Sequence, residues 1–248
     1  MLIILGIAVG VMGFLIFTYF RIKRKINMNL NKFGFSNLSS LAEEIRKGEL
    51  EAKLTPKHVT GMTKLLIPRI VNDFPNFSEK ELYNKVETSL LLIFNSLESK
   101  EFKANDELIL IRDKIKEQIN DMKNANISVK YDDVKFHEHA LKYYNNKDGV
   151  LNISVSTSLE YYYEKCIDGK VVEEYKDYKK QTVYTTEFIY VYNPDEIVKS
   201  QVLIGLSCPN CGAPLKDLGY KKCLYCGSGL EDVNLKSWHI SLYKDEYR

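Results

Sequence analysis

The chain has 248 residues with 45% hydrophobic and 27% charged side chains, a composition that excludes disordered and collagen-like proteins. Residues 21–25 carry four positive charges with no acid before them, so the net charge of +2 leaves residues 26–248 at −2. A mildly acidic body argues against a nucleic-acid binder that relies on bulk positive charge.

The first apolar run is long enough for a membrane helix. No charged residue lies between Leu2 and Phe20, and these residues would span about 28 Å as a helix, close to the hydrocarbon thickness of a bilayer. The run lacks the preceding charge and the small-residue cleavage site of a secretory signal. Residues 1–25 are therefore predicted to be an uncleaved transmembrane anchor with a basic flank, RIKRK. The positive-inside rule then places the N-terminus outside and residues 21–248 in the cytoplasm, in a single-pass protein of the cell (inner) membrane.

The partner expected for this anchor is the lipid bilayer, through residues 2–20. Gly6 and Gly10 also form a small-xxx-small pair, which could bring two anchors together as a homodimer. Glycines are common in membrane helices in general, so the pair has an ordinary explanation as well.

Residues 26–60 are predicted to be a juxtamembrane linker with one short helix. Ser40 and Glu43 have the spacing of a capping box, and Gly48 is expected to end that helix. An apolar segment follows at 61–77, in which Pro68 is expected to start a helix rather than lie within one.

Two amphipathic helices come next. Ser78 and Glu81 form a second capping box, and apolar residues then recur every three or four positions. Asn105 is the expected cap of the following helix. The two stripes predicted to face a core are Leu82, Val86, Leu90, Ile93 and Leu97 in the first helix and Leu108, Ile111, Ile115, Ile119 and Met122 in the second.

After Asn124 the apolar period changes to two, which indicates strands. In the last of them Trp238, Ile240 and Leu242 are expected to share a face. Helices followed by strands predict an α+β domain with helices packed on one face of an antiparallel sheet. The expected strands cover residues 127–143, 151–163, about 181–192 and 238–243, with turns at 145–149 and at Asp168-Gly169.

Four of the five cysteines form two CxxC pairs, and a glycine follows each pair. Two such knuckles supply four thiolates, the tetrahedral set that Zn²⁺ prefers, and leave no position for an activated water. Thiolates also suit a reducing compartment, in agreement with a cytoplasmic domain. A dithiol redox motif is the alternative, although it normally has a single pair at the start of a helix. The predicted ligands of one structural zinc ion are Cys208, Cys211, Cys223 and Cys226.

Other chemical candidates have less support. His137 and His139 would place two rings on one face of a strand and could hold a metal or move a proton, but an exposed strand face is the simpler interpretation. Asp132 and Asp133 are interpreted as solvated turn residues before a strand, and Cys166 as a packing residue. The sequence has no phosphate-binding glycine loop, nucleophile elbow or HExxH motif.

The order of these segments, with the motifs DFPNF, CPNCGAPL and CLYCGSGL, resembles a group of bacterial zinc-ribbon membrane proteins. Their main domain is similar to the C-terminal domain of mitochondrial import inner membrane translocase subunit 44. The resemblance covers most of residues 61–243 and implies a nuclear-transport-factor-2-like cone, in which helices pack on a curved antiparallel sheet. The mitochondrial domain tethers an import motor to a membrane channel, which implies an interaction or transport-linked role. It lacks the ribbon, so the resemblance names no client.

On this basis residues 61–200 are predicted to form the α+β domain that resembles translocase subunit 44. Residues 201–234 would be an inserted zinc ribbon, and residues 235–248 the closing strand and tail of the main domain. The leading functional prediction is a non-enzymatic, membrane-anchored cytoplasmic tether with an unidentified protein partner.

Two alternatives remain open at this point. The first is an enzymatic or small-molecule pocket in the cone, lined by Tyr161, Tyr163, Tyr184 and His137. The second is nucleic-acid binding through the ribbon, which the local charge balance disfavours. In that segment the cations Lys216, Lys221 and Lys222 are offset by Asp217, Glu231 and Asp232.

Overall fold

The computed structural model of the protein describes residues 2–32, 38–147, 149–192, 213, 222–228 and 237–247. The chain divides into two compact units, Met1–Lys53 and Leu54–Arg248. The second unit contains every strand of the described residues and all the described residues that bear on the predicted chemistry.

The described residues of the first unit lie in two helices, α1 (Leu2–Lys32) and α2 (Leu38–Leu54), and the last residue of α2 belongs to the second unit. Among the helices described with their side chains, none is long and apolar enough to cross a membrane. Helix α2 continues through Gly48, so the predicted end at that residue is wrong. A glycine within a helix costs only about 1 kcal/mol, and the helix formers on both sides of Gly48 outweigh that cost.

The second unit begins with helices α3 (Thr63–Asp73) and α4 (Glu79–Ser99). Ser78 is confirmed as the N-cap of α4, because the Glu81 N–H donates to Ser78 Oγ at 3.3 Å. Pro68 lies inside α3 and does not start it, which corrects the prediction. The missing hydrogen bond at Pro68 falls on an exposed part of the helix, where water can satisfy the orphaned carbonyl group.

Asn105 is confirmed as a cap, since its Oδ1 accepts from the Glu107 N–H at 2.7 Å. The element that it caps is a short 3₁₀ helix (Asp106–Ile111), and helix α5 (Arg112–Asn124) follows directly. All ten residues of the two predicted apolar stripes are buried in one core.

Four antiparallel strands follow, in the spatial order β1-β2-β3-β4. Asp168 and Gly169 form the predicted hairpin turn, with φ values of +51° and +73°. The third strand starts eleven positions before the predicted residue 181, at Lys170. The predicted α+β class is therefore confirmed. The strands are β1 (Ile127–Lys147), β2 (Val150–Ile167), β3 (Lys170–Val191) and β4 (Trp238–Asp245).

Strand β2 is buried on both faces. Its predicted apolar row, from Leu151 to Tyr163, packs in the same core as α3, α4 and α5. The opposite row is polar, as predicted. Its residues Ser154, Ser156 and Ser158 are nevertheless buried, with exposed fractions of 7%, 3% and 0%. The central strand is therefore largely shielded from water on both faces.

Register shifts in the outer strands explain two wrong assignments. Asp132 and Asp133 lie inside β1, at a shift against β2, and do not form a turn before a strand. A shift between Glu187 and Phe188 of β3 leaves one extra residue in β4, so Tyr243 rather than Leu242 shares the face of Ile240. A bulge of this kind reverses the alternation of side chains, which a strict period of two cannot reveal.

The approach of the chain to β1 gives a stability test. A Cβ atom on Gly61 would lie 2.6 Å from both the Ala140 Cβ and the Leu141 carbonyl oxygen. We expect Gly61→Ala to lower the free energy of unfolding of the second unit by about 1–3 kcal/mol, because the strand must shift to make room. Urea unfolding followed by the fluorescence of Trp238, the only tryptophan, measures this change.

Gly48→Ala is the matched control, because no atom lies within 4 Å of the new Cβ and the residue is in an exposed helix. This control should leave the Trp238 transition unchanged. Equal transition midpoints for Gly61→Ala and the wild-type protein would contradict the close approach of Gly61 to β1.

Candidate functional sites

The described part of the predicted ribbon is a tight turn that contains Cys223 and Cys226. The Cys223 N–H donates to the Ser228 carbonyl at 2.8 Å, and the Gly227 N–H donates back to the Cys223 carbonyl at 2.9 Å. Gly227 has φ +69°, in the left-handed region that favours glycine. The CxxCG pattern therefore folds the backbone back on itself with both cysteines on one turn.

Both sulfur atoms have polar contacts within this turn. The Tyr225 N–H donates to Cys223 Sγ at 3.4 Å, and Cys226 Sγ lies 3.0 Å from Ser228 Oγ. Hydrogen bonds of this type orient thiolates that bind a metal and stabilise their charge. The donor set and the turn thus fit one half of a tetrahedral zinc site.

The other predicted ligands, Cys208 and Cys211, lie outside the described residues. Within the residues that are described, no group of three or more His, Cys, Asp or Glu side chains is arranged to hold a metal ion. The four-cysteine site accordingly stays a prediction.

His139 connects the sheet to helix α4. Its Nε2 lies 2.9 Å from Glu87 Oε1, and its Nδ1 lies 3.0 Å from Thr157 Oγ1. The ring also stacks on Tyr83, with 4.7 Å between the ring centroids. Glu87, His139 and Thr157 are connected in the manner of a proton relay. Thr157, the last group of this row, is fully buried and has no access to solvent. We therefore assign His139 a role in joining α4 to the sheet.

His137 lies on the opposite face of the sheet from His139. Its Nε2 is 3.1 Å from Glu160 Oε2, and a register shift between Phe136 and Glu138 places it there. The prediction that the two rings share one strand face is therefore wrong. The exposed-face interpretation is also wrong, because the two side chains are only 18% and 12% exposed. An HxH pair loses its common face when a bulge falls between the histidines.

Glu160 is the centre of a charged cluster on that face. Its carboxylate accepts a hydrogen bond from the Gln181 amide at 2.7 Å and lies 3.5 Å from Lys179 Nζ, which in turn lies 2.6 Å from Asp133. Burial opposes ionisation, but the hydrogen bonds from Gln181 and His137 and the charge of Lys179 hold the pKa of Glu160 below its ordinary value. The cluster is thus an ionised network that joins β1, β2 and β3.

Tyr161, Tyr163 and Tyr184 lie on the helix face, in a cluster with Phe94 and Tyr131. Neighbouring ring centroids in this cluster are 4.5 to 6.1 Å apart. Because His137 is on the other side of the sheet, it cannot line a pocket with these tyrosines, and that predicted combination is wrong. A cleft of about 250 Å³ opens beside Tyr131 and Tyr163, and its described lining contains neither histidine nor cysteine.

No protein-family model matches the chain, and no curated protein matches it either. The likeness to translocase subunit 44 therefore stays a prediction from the sequence. The described residues establish the α+β class, with helices on one face of an antiparallel meander.

Glu87 and Glu160 have structural roles that the sequence analysis missed. Glu160 ends the polar row of β2 after three serines. This change from small to charged side chains could have marked Glu160 as a candidate structural residue in the sequence. Glu87 carried no signal, because its partner His139 is 52 positions away. Only the tertiary fold brings such a pair together.

The ionised network predicts a pH effect. The pKa of Glu160 is lower in the folded than in the unfolded protein, so its contribution to stability is present above the ordinary carboxyl pKa and is lost as the pH falls through the folded value. Gln181→Met removes a hydrogen bond to the carboxylate and should therefore raise the pKa of Glu160. Carbon-detected NMR titration of the Glu160 carboxyl group measures this shift.

The control for this substitution is Gln118→Met on α5, where the glutamine accepts a hydrogen bond from the Tyr243 hydroxyl. It should leave the Glu160 titration unchanged. Coincident titration curves for Gln181→Met and the wild-type protein would show that the hydrogen bond does not hold the carboxylate in its ionised form.

Proposed function

We propose that the protein is a membrane-anchored cytoplasmic tether, whose α+β domain and structural zinc ribbon present a binding surface to a protein partner. The main observation that supports this proposal is the apolar segment of α1. Its large side chains between Met12 and Phe20 are 53–67% exposed, and they point in all directions around the helix. A helix that is apolar on all sides is stable when lipid or a large protein core surrounds it.

The sequence extends this apolar surface toward the N-terminus, where residues 2–11 also carry no charge. The basic group Arg21, Lys23, Arg24 and Lys25 follows the run and supports an orientation with the second unit in the cytoplasm. In the proposed arrangement the bilayer covers α1, and a close approach of two anchors at Gly6 and Gly10 would make the protein a dimer.

A structural role for zinc rests on the chemistry of the cysteines. Cys223 is 3% exposed and accepts a backbone hydrogen bond, as expected of a thiolate ligand in a closed site. Cys208 and Cys211 have the matching CPNCG sequence. When bound, zinc would fold a segment that is too short to have a core of its own.

The packing of the helix face supports a binding scaffold in preference to an enzyme. Phe94, Tyr131 and Tyr161 are in mutual ring contact between α4 and the sheet. Phe94 stacks on Tyr131, and Tyr161 packs at an angle against both. Large apolar side chains are found instead on the outside, where Met62, Leu65 and Val71 of the α3 region are 49%, 69% and 40% exposed. Exposed apolar residues in a row are typical of a surface that contacts another protein.

The cone architecture and a link to protein transport are part of the same proposal. The meander of long strands with α3, α4 and α5 on one face is compatible with the domain of translocase subunit 44 that the sequence resembles. A tether needs a membrane anchor, a linker and a binding domain. The segments predicted along this chain have the same order.

The tethering proposal predicts a specific protein neighbour at the membrane. Site-specific photo-crosslinking from Leu65 in the native cell should yield a discrete crosslinked protein in the membrane fraction, because this exposed apolar side chain is part of the proposed contact surface. Crosslinking from the exposed polar residue Lys80 on α4 is the control and should give none. Identical patterns from both positions, or no product from Leu65, would contradict a specific partner at this surface.

The zinc proposal predicts one zinc ion per chain. Cys208→Ser combined with Cys223→Ser should lose the metal, because two of four ligands are removed, one from each knuckle. Cys166→Ser lies outside the ribbon and should retain it. Elemental analysis of freshly purified protein measures the metal, and an absence of zinc from the wild-type protein would contradict the site.

A further inference from the structure

The outer half of α3 combines exposed apolar side chains with basic ones. Leu66 and Ile70 on the opposite half are 4% and 0% exposed and pack in the core of the second unit. Because an α-helix has about 3.6 residues per turn, the exposed positions of α3 and its cap fall into two neighbouring rows. The first row is Met62, Leu65 and Arg69, and the second row is Lys64, Pro68 and Val71, all of them exposed.

Each row contains one basic residue and no acid. Among the described residues, neither Lys64 nor Arg69 forms an ion pair. The single acid of α3, Asp73, is directed toward β1, where its carboxylate accepts a hydrogen bond from the Tyr144 hydroxyl at 2.7 Å. This hydrogen bond and, to a smaller extent, the charge of Arg69 hold the pKa of Asp73 below its ordinary value. The outer half of α3 therefore presents apolar surface and positive charge together.

Pro68 adds an unsatisfied acceptor in the middle of this surface. It has no N–H, so the carbonyl oxygen of Lys64 receives no helical hydrogen bond from it. Both residues are exposed, and water can bind this oxygen in the free protein. A partner that covers α3 removes this water and must donate a hydrogen bond of its own, because an unpaired buried carbonyl group is costly.

We infer that the protein partner of α3 presents an apolar patch that is flanked by carboxylates and contains a hydrogen-bond donor for the Lys64 carbonyl. This inference rests on the proposed function and states the chemistry of its contact surface. The carboxylates would face Lys64 and Arg69, while the apolar patch covers Leu65 and its neighbours. A bilayer fits this surface less well, because hydrocarbon offers no donor to the carbonyl group.

The test measures the yield of the protein adduct formed by photo-crosslinking from Leu65 of the full-length protein in native membranes. We expect Lys64→Glu combined with Arg69→Glu to lower this yield by about tenfold or more, because like charges would then face each other across the contact. The matched control, Lys80→Glu combined with Lys123→Glu, reverses two exposed lysines on α4 and α5 and should leave the yield unchanged. A cooperative urea transition verifies that both double variants are folded.

The adduct also reports the chemistry of the partner. The peptide attached at Leu65 should contain aspartate or glutamate residues beside apolar ones. Replacing those acids by lysine should restore the yield of the variant with Lys64→Glu and Arg69→Glu. Pro68→Ala tests the carbonyl group separately, because it supplies an N–H to the Lys64 carbonyl within the helix. The donor of the partner then loses its acceptor, and the yield should fall several-fold.

The outcomes separate this inference from the proposed function. If the wild-type protein gives no protein adduct from Leu65, the proposed contact surface fails and the inference fails with it. If the adduct forms equally well in the wild-type protein and in the Lys64→Glu, Arg69→Glu variant, the acidic partner is overturned and a protein partner stands. An unchanged yield for Pro68→Ala overturns the donor to the carbonyl group. An adduct with the mass of a phospholipid overturns the inference in favour of a lipid surface.

Discussion

Strand β2 must be covered on both faces, and the second unit is organised around that requirement. On one face its apolar row meets the buried stripes of α4 and α5, which supplies most of the core. The other face carries a row of buried serines, and the Glu160 cluster connects the neighbouring strands there. Apolar burial thus stabilises the helix layer, while the Glu160 cluster links β1, β2 and β3 on the opposite face of the sheet.

Local rules predicted the elements of this fold well where one interaction dominates. The Ser78 and Asn105 caps need only near neighbours in the chain, and both were found as predicted. Both predicted stripes are buried, although the one after Asn105 is divided between a 3₁₀ helix and α5. The alternation of β2 also held, because a central strand has no freedom to bulge without disturbing both of its neighbours. Predictions of this kind succeed when sequence spacing and burial point to the same face.

Prediction failed where the outcome depends on a balance with flanking residues or on partners far along the chain. Gly48 and Pro68 are helix breakers by propensity, yet both lie within helices because flanking residues outweigh their cost. His137 and His139 are separated by a bulge that no local pattern announces, and their partners Glu160 and Glu87 come from other elements. The candidate chemistry of the HxH pair accordingly became two independent structural contacts.

The proposed account joins three physical properties of one chain. In this proposal the bilayer covers the apolar segment of α1, and the thiolates bind a metal in a reducing compartment. The exposed apolar residues Met62, Leu65 and Val71 are proposed to contact a protein partner. Each property constrains the others, because anchor orientation decides which compartment the cysteines occupy. The predicted zinc ribbon lies between β3 and β4 in the sequence, and these two strands are paired in the sheet.

The most direct measurement of the central claim is protease accessibility in intact spheroplasts and in inverted membrane vesicles, followed with an antibody against the second unit. A cytoplasmic domain held by an N-terminal anchor predicts full protection in spheroplasts, digestion in inverted vesicles and retention in the membrane fraction after a high-salt wash. Digestion of the second unit in intact spheroplasts, or its release from the membrane by salt, would contradict the account.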